Sequence, residues 1–231
     1  MEITPDHLVL FRWGFVHLNA TILYTWALML LLVVASLLVT RRIGPDLPRS
    51  RWQNMLEAIV LVIRGEIREI GGGEGADGCL PFVGTLFLFI ALSNVLEAVP
   101  MWHPPTGSLS TTAALAICVA VSVSIFGIRR AGLKGYLRHY LSPNFFMAPF
   151  HLMSEFSRTI ALAFRLFGNI MSGSILVALL LAIAPLFVPV AMQVLGLLIG
   201  LIQAYIFAIL AMVYIAAGLR RQQEAAPDQK V

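Results

Sequence analysis

Long apolar segments recur along the chain, and polar or charged residues gather in the stretches between them. An α-helix rises about 1.5 Å per residue, so about 20 apolar residues cross the hydrocarbon core of a bilayer. Lipid offers the backbone no hydrogen bonds, so such segments cross it as helices. We therefore predict an all-α membrane protein with five membrane-crossing helices, at residues 19–40, 80–99, 109–128, 144–184 and 188–219.

One further helical segment does not suit a membrane crossing. Residues 50–70 mix apolar positions with several charged ones, among them Glu57, Arg64 and Glu69. This pattern predicts an amphipathic helix that lies on the membrane surface. The glycine-rich residues 71–78 follow it and predict a flexible linker.

The basic residues predict the orientation of the chain. Clusters of Lys and Arg follow the first crossing, the third crossing and the last helix, whereas the loops 100–108 and 185–189 contain none. Basic loops stay in the cytoplasm. We therefore predict a single membrane domain with its N-terminal segment, residues 1–18, outside and its tail, residues 220–231, in the cytoplasm.

The last two crossing helices are longer than a bilayer requires. Residues 188–219 would form about 48 Å of helix against a hydrocarbon core of roughly 30 Å. Strong tilt accommodates this excess, so the pair is predicted to form a tilted hairpin. With a tight turn near residue 186, Gln203 lies opposite Asn169, and Arg165 lies one turn further along, near mid-membrane.

Arg165 is the one Lys, Arg, Asp, Glu or His between Thr159 and Leu219. A guanidinium stays charged at accessible pH, and hydrocarbon does not solvate it, so an arginine in this position indicates function. If the helix stood upright instead, Arg165 would lie near the cytoplasmic interface and its side chain could reach the headgroups. The sequence leaves both interpretations open.

Four other polar residues carry two interpretations each. Ser172 and Ser174 are small residues that allow close helix packing, or they line a polar path through the membrane. Asn94 and Glu97 stand near the end of the second crossing. They are interfacial residues, or they belong to the same path.

The composition excludes a soluble globular domain. The chain is 59% hydrophobic and 12% charged, and its mean hydropathy is +0.86. The net charge of +4 comes from loops that set membrane topology, so no nucleic-acid partner is expected. Cys79 and Cys118 predict neither a disulfide nor a metal site.

Two other function classes were weighed against these patterns. A secondary transporter with a mid-membrane polar site would show matching broken segments in two halves, and the Pro and Gly positions do not repeat in that way. For a membrane-embedded enzyme the sequence offers no nucleophile–base pair, no metal-ligand spacing and no glycine-rich phosphate loop. We therefore predict no catalytic residues, no metal and no cofactor.

Residues 155–173, EFSRTIALAFRLFGNIMSG, resemble the signature of subunit a of F-type rotary ATP synthases. The segments LSNVLEAVP (92–100) and PPTGSLSTTAALA (104–116) are similar to the paired central crossings of that family. IQAYIFAILAMVYI (202–215) is similar to its last helix. Together these segments extend over most of residues 80–219.

The resemblance implies a non-catalytic stator subunit in a bacterial inner (plasma) membrane, which couples proton translocation to ATP synthesis or hydrolysis. Its tilted hairpin would face a rotating ring of c subunits, each with one buried carboxylate. Arg165 would be the arginine that faces the ring, with Asn169 and Gln203 as polar neighbours. The implied partners are the c-subunit ring, b-type peripheral stalk subunits, membrane lipids and, indirectly, the catalytic head.

The chain departs from the family pattern at three positions. Ser174 and Gly196 stand where many members carry ionisable residues, and Thr159 stands where a proline is common. A half-channel built from Ser172, Ser174, Asn94 and Glu97 would then carry the ion. We predict that the coupling ion is the proton. Sodium coupling is the alternative, since the short chain resembles a divergent, N-type branch and hydroxyl oxygens suit sodium.

Overall fold

The computed structural model describes residues 9–13, 16–40, 51–72, 74–99, 102, 104–141, 148–183 and 188–224. Six helices follow one another in this part of the chain: α1 (Ala20–Thr40), α2 (Arg51–Gly71), α3 (Leu80–Leu96), α4 (Leu109–Leu141), α5 (Ala148–Ile183) and α6 (Val188–Glu224). Two 3-10 turns lie at Glu74–Cys79 and Pro105–Gly107. The centre of the predicted turn near residue 186 and the end of the tail lie outside the described residues.

Five of these helices are long and apolar enough to cross a membrane: α1, α3, α4, α5 and α6. The predicted fold class, an all-α membrane protein with five crossings, is therefore confirmed, and the chain is a multi-pass membrane protein. α2 is not among the five, as its charge pattern predicted.

A short antiparallel hairpin precedes the first crossing helix. Strand β1 (Val9–Trp13) pairs with β2 (Val16–Asn19), and the register places Arg12 opposite His17. The sequence analysis predicted no strand in this segment. Alternating polar and apolar residues in a stretch this short do not distinguish a strand from an interfacial segment.

The core lies mainly between helices α3 to α6, and Leu28 of α1 is also buried in it. Ile90 of α3, Leu162 and Leu166 of α5, and Phe207 and Ala211 of α6 are buried there in one cluster. Many large apolar side chains on the outer faces are exposed, as expected where lipid is the solvent. α5 therefore has one face fixed by the core and another that faces away from it.

α2 is packed against the bundle by apolar and ionic contacts. Ile63 and Ile67 of α2 are buried in a second cluster with Met212 of α6. Arg64 and Arg68 donate to the carboxylate of Asp77 at 2.6 and 2.8 Å. The prediction of a flexible linker is therefore wrong for Glu74–Cys79, where these ion pairs hold Asp77 in an ordered 3-10 turn.

α4 continues beyond the predicted end of the third crossing at residue 128. Its apolar portion ends near Arg129, and the helix runs on to Leu141 with a kink at Gly132. Gly132 has φ of 73°, a conformation that glycine adopts without a steric penalty. The basic block after the third crossing is thus carried on a helical extension.

Candidate functional site

α5 presents Arg165 on the face that the core leaves open. Leu162, Leu166 and Ile170 are buried on one side of α5, whereas Arg165 and Gly168 are exposed on the other. An α-helix has 3.6 residues per turn, so Leu162, Leu166 and Ile170, which are four positions apart, lie on the same face of α5. Arg165 therefore faces away from the rest of this chain.

Arg165 has no ion-pair or hydrogen-bond partner among the residues that the structure describes. Arg64 and Arg68, by contrast, both bind the carboxylate of Asp77. A guanidinium in a low-dielectric layer requires an anion or water. The described residues of this chain do not supply that group.

A cavity of about 340 Å³ lies between α5, α6 and the end of α3. Six polar side chains line it: Asn94, Glu97, Asn169, Ser172, Ser174 and Gln193. The structure thus brings together all four residues that the sequence suggested as half-channel lining. Asn169, a suggested neighbour of Arg165, lies at the same cavity.

The cavity extends from the hairpin turn toward the level of Arg165. It is lined by Leu181 and Met192 near the turn, and by Asn169 and Gly200 at the inner end. Asn169 is one helical turn from Arg165, and Gly200 is three residues from Gln203. Neither Arg165 nor Gln203 belongs to the lining, so the cavity ends about one turn short of them.

Glu97 is the one ionisable side chain among the residues that line this cavity. It follows directly after α3, and one of its carboxylate oxygens lies 3.4 Å from the Ser174 hydroxyl on α5. The same hydroxyl lies 3.0 Å from the Ile170 carbonyl, so its single proton is shared between two acceptors. A carboxylate and a hydroxyl from two helices therefore meet at the cavity wall.

Gln203 is buried on the inner face of α6, with 7% of its surface exposed. Its Nε2 atom is buried and has no hydrogen-bond partner among the described residues. A buried amide without a partner is uncommon, because the lost hydration is not replaced. The described residues therefore leave this donor without an acceptor.

Asn94 connects α3 to α6 at the inner end of the cavity. Its Nδ2 atom donates to the Gly200 carbonyl at 2.7 Å, and Asn94 is only 2% exposed. Its Oδ1 atom is buried and, within the described part of the chain, has no partner. Of the two suggestions for Asn94, an interfacial location does not fit this burial.

Gln193 and the Arg158–Tyr214 pair were not among the residues predicted from the sequence, and Gly200 was predicted only as a small residue that allows close helix packing. Gln193 and Gly200 share a face of α6 with Gln203, and this periodic spacing could have revealed them. The Arg158 guanidinium lies 5.5 Å from the centre of the Tyr214 ring, a cation–π contact between α5 and α6. No spacing within a single helix indicates such a contact, since it depends on how two helices pack.

The described residues contain no group of three His, Cys, Asp or Glu side chains that could hold a metal ion. The polar atoms at the cavity are oxygens and amide nitrogens from Asn, Gln, Ser and Glu side chains. Such oxygens can replace part of the hydration shell of a small hard cation or relay protons through water. The arrangement is suited to conducting an ion.

Residues 22–216 match the family described as ATP synthase A chain. The chain is 56% identical to ATP synthase subunit a 2 of Acaryochloris marina, over 96% of this chain and 95% of that protein. It is 52% identical to ATP synthase subunit a of Albidiferax ferrireducens, over 100% of both chains.

A third relative, ATP synthase subunit a 1 of Chlorobium luteolum, is 53% identical over 97% of this chain and 100% of its own length. The family match begins in α1, ends in α6 and includes all the polar residues that line the cavity. Subunit a works in the membrane sector, in a complex with the other subunits of the synthase. The chain belongs to the ATP synthase A chain family.

Proposed function

We propose that this chain is the membrane stator of a rotary ATP synthase and couples proton translocation to ATP synthesis or hydrolysis. The observation that carries the proposal is the position of Arg165, exposed on α5 and without a partner in the described part of the chain, one turn beyond a polar cavity. The chain itself supplies no catalytic group and no cofactor in this proposal. Its role is to guide an ion and to hold a fixed charge.

The partner that best fits Arg165 is a ring of c subunits, each with a carboxylate at mid-membrane. Opposite charges attract strongly where the dielectric constant is low, so a carboxylate that approaches Arg165 is favoured in its ionised form. That carboxylate must release its proton before it passes Arg165, and it must take up another before it re-enters lipid. Rotation past a fixed cation is thereby tied to ion transfer.

The cavity supplies the outer of two half-channels in this mechanism. It lies toward the α5–α6 turn, and the positions of the basic clusters in the sequence predict that this turn lies on the side opposite the cytoplasm. Ser172, Ser174, Asn94 and Glu97 would line the path, which ends at Asn169 before Arg165. A proton that crosses a membrane potential of 100 mV contributes about 2.3 kcal/mol to rotation.

The remaining predicted assignments complete the proposal. The N-terminus lies outside a bacterial inner membrane and the C-terminus lies in the cytoplasm. α2 lies at the cytoplasmic surface, where its charged residues reach the headgroups. Besides the ring, b-type peripheral stalk subunits hold the chain still, and through them it acts on the catalytic head.

Sodium is the second candidate for the coupling ion, because the cavity is lined by oxygen-bearing side chains. Position 174 supplies a hydroxyl and position 196 supplies no side chain, so Glu97 alone can exchange protons among the lining residues. Hydroxyl, amide and carboxylate oxygens are the ligands that hard cations prefer. Proton transfer along water held by the same groups is equally supported by the geometry.

Substitution of Arg165 tests the stator role. In inverted membrane vesicles that contain the whole complex, Arg165→Ala is expected to reduce ATP-driven ion uptake to background while ATP hydrolysis by the head continues. Arg165→Lys is expected to fail as well, because a lysine in the low-dielectric membrane layer can lose its proton. Arg158→Ala is the matched control two turns away on α5, and it should retain measurable uptake. Normal uptake in Arg165→Ala would refute the proposal.

Chemical labelling tests whether the cavity opens to the outside. The substitutions Ser172→Cys and Ser174→Cys are made one at a time in a variant that lacks Cys79 and Cys118. Each new cysteine should react with a charged, membrane-impermeant thiol reagent added from the outer face, because the reactive thiolate forms in contact with water. Ala163→Cys is the matched control on the buried face of α5 and should react at least tenfold more slowly. Equal rates at these three positions, or faster labelling from the cytoplasmic face, would contradict an outer half-channel.

Parallel ion measurements identify the coupling ion. ATP-driven acidification and radioactive sodium uptake are recorded in the same vesicles, each with and without a protonophore. Proton coupling predicts acidification that the protonophore abolishes, with no sodium uptake. Sodium uptake that persists or rises with the protonophore would establish the second candidate. Transport of neither ion by an intact, hydrolysing complex would remove the stator assignment.

A further inference from the structure

Two glycines one turn apart on α6 have opposite surroundings. A Cβ atom added at Gly196 would meet nothing within 4 Å. A Cβ atom added at Gly200 would lie 3.0 Å from both Cβ and Cγ of Asn94. Real Cβ contacts are rarely so short, so a side chain at position 200 would displace the Asn94 side chain by a few tenths of an ångström. Glycine at this position permits the close approach of α3.

This close approach fixes which way the Asn94 amide points. The Gly200 carbonyl can only accept a hydrogen bond, so the atom 2.7 Å from it must be the Asn94 NH₂ group. The side-chain oxygen of Asn94 therefore points away from Gly200. If the Asn94 amide rotated so that its NH₂ group and its Oδ1 atom exchanged places, Oδ1 would lie against the Gly200 carbonyl oxygen, which is unfavourable.

The oxygen so oriented is buried and has no partner among the described residues. Asn94 is 98% buried yet lines the cavity, and it stands one turn before Glu97 on the same wall. An acceptor that is left open at the inner end of a polar cavity attracts a positive or proton-bearing group. Its partial negative charge disfavours an anion at the same place.

We propose that Asn94 Oδ1 is an oxygen ligand for the cation in transit, and that Gly200 is the residue that positions it. This inference rests on the proposed function. The ligand chemistry is that of a small hydrated cation, either a hydrated proton or sodium, entering from the outer face. Glu97 attracts the cation at the cavity wall, and Asn94 holds it at the inner end, one turn from Arg165.

The two glycines supply a matched pair of variants. The whole complex, in energised vesicles that synthesise ATP, is assayed while the cation concentration on the outer side is varied at constant driving force. Gly200→Ala should raise the outer cation concentration for half-maximal synthesis about tenfold, as expected for one lost hydrogen bond to a charged group. Gly196→Ala should raise it less than Gly200→Ala does, because its Cβ enters the cavity and does not touch Asn94. Equal values for Gly200→Ala and the unmodified complex would overturn the proposal.

A second pair of variants separates the ligand from simple helix packing. Asn94→Gly combined with Gly200→Ala removes the crowding between α3 and α6 but does not restore the oxygen. The proposal predicts that the tenfold shift remains in this double variant. Recovery of normal half-saturation would show that spacing alone matters, and would overturn the ligand role.

If the complex with Gly200→Ala does not assemble, Asn94→Ser tests the proposal in its place. The serine side chain is shorter, so it creates no crowding and leaves the inner end of the cavity without the Oδ1 ligand. The same rise in half-saturation is expected, and an unchanged value would overturn the proposal. Protons and sodium are titrated separately, so the shift identifies which cation the oxygen binds. If the unmodified complex transports neither cation, the failure belongs to the proposed function.

Discussion

The positive charge of Arg165 in an apolar layer is the constraint on which the account of this chain depends. The guanidinium cannot lose its proton at accessible pH, and no described residue of the chain neutralises it. Its side chain is nevertheless held on an exposed face, because Leu162 and Leu166 fix the opposite face of α5 in the core. A charge fixed in this way is suited to an anion that moves past it and cannot remain, which is the requirement of a rotary mechanism.

The packing of α3 against α6 determines what lies beside that charge. Asn94 reaches the backbone of α6 at Gly200, which has no side chain to prevent the contact. Nearer the turn, Gly196 faces open space, and the helices leave a cavity lined by Glu97 and Ser174. Closely packed and open positions thus alternate along one face of α6. Glycine contributes to both, by close approach at one position and by unfilled volume at the other.

Much of the fold could be predicted from the sequence, since membrane helices follow directly from apolar length. The five crossings, the amphipathic character of α2 and the selection of Arg165 as a candidate all depend on local composition. The N-terminal hairpin, the extension of α4 beyond Arg129 and the ordered turn at Asp77 could not be predicted with the same patterns. Each depends on pairing between segments or on a backbone angle, and neither has a signature in hydrophobic periodicity.

The residues of the candidate site also differ in whether local sequence could predict them. Ser172, Ser174 and Asn169 could be selected because polar residues are rare in α5. The Asn94–Gly200 bond joins residues 106 positions apart, so only the packed structure reveals it.

The measurement that tests the central claim most directly is an electron cryo-microscopy map of the whole complex in lipid. The account predicts that the Arg165 guanidinium lies within about 6 Å of a ring carboxylate, with the cavity open to the outer face. An Arg165 that faces lipid away from the ring would contradict it.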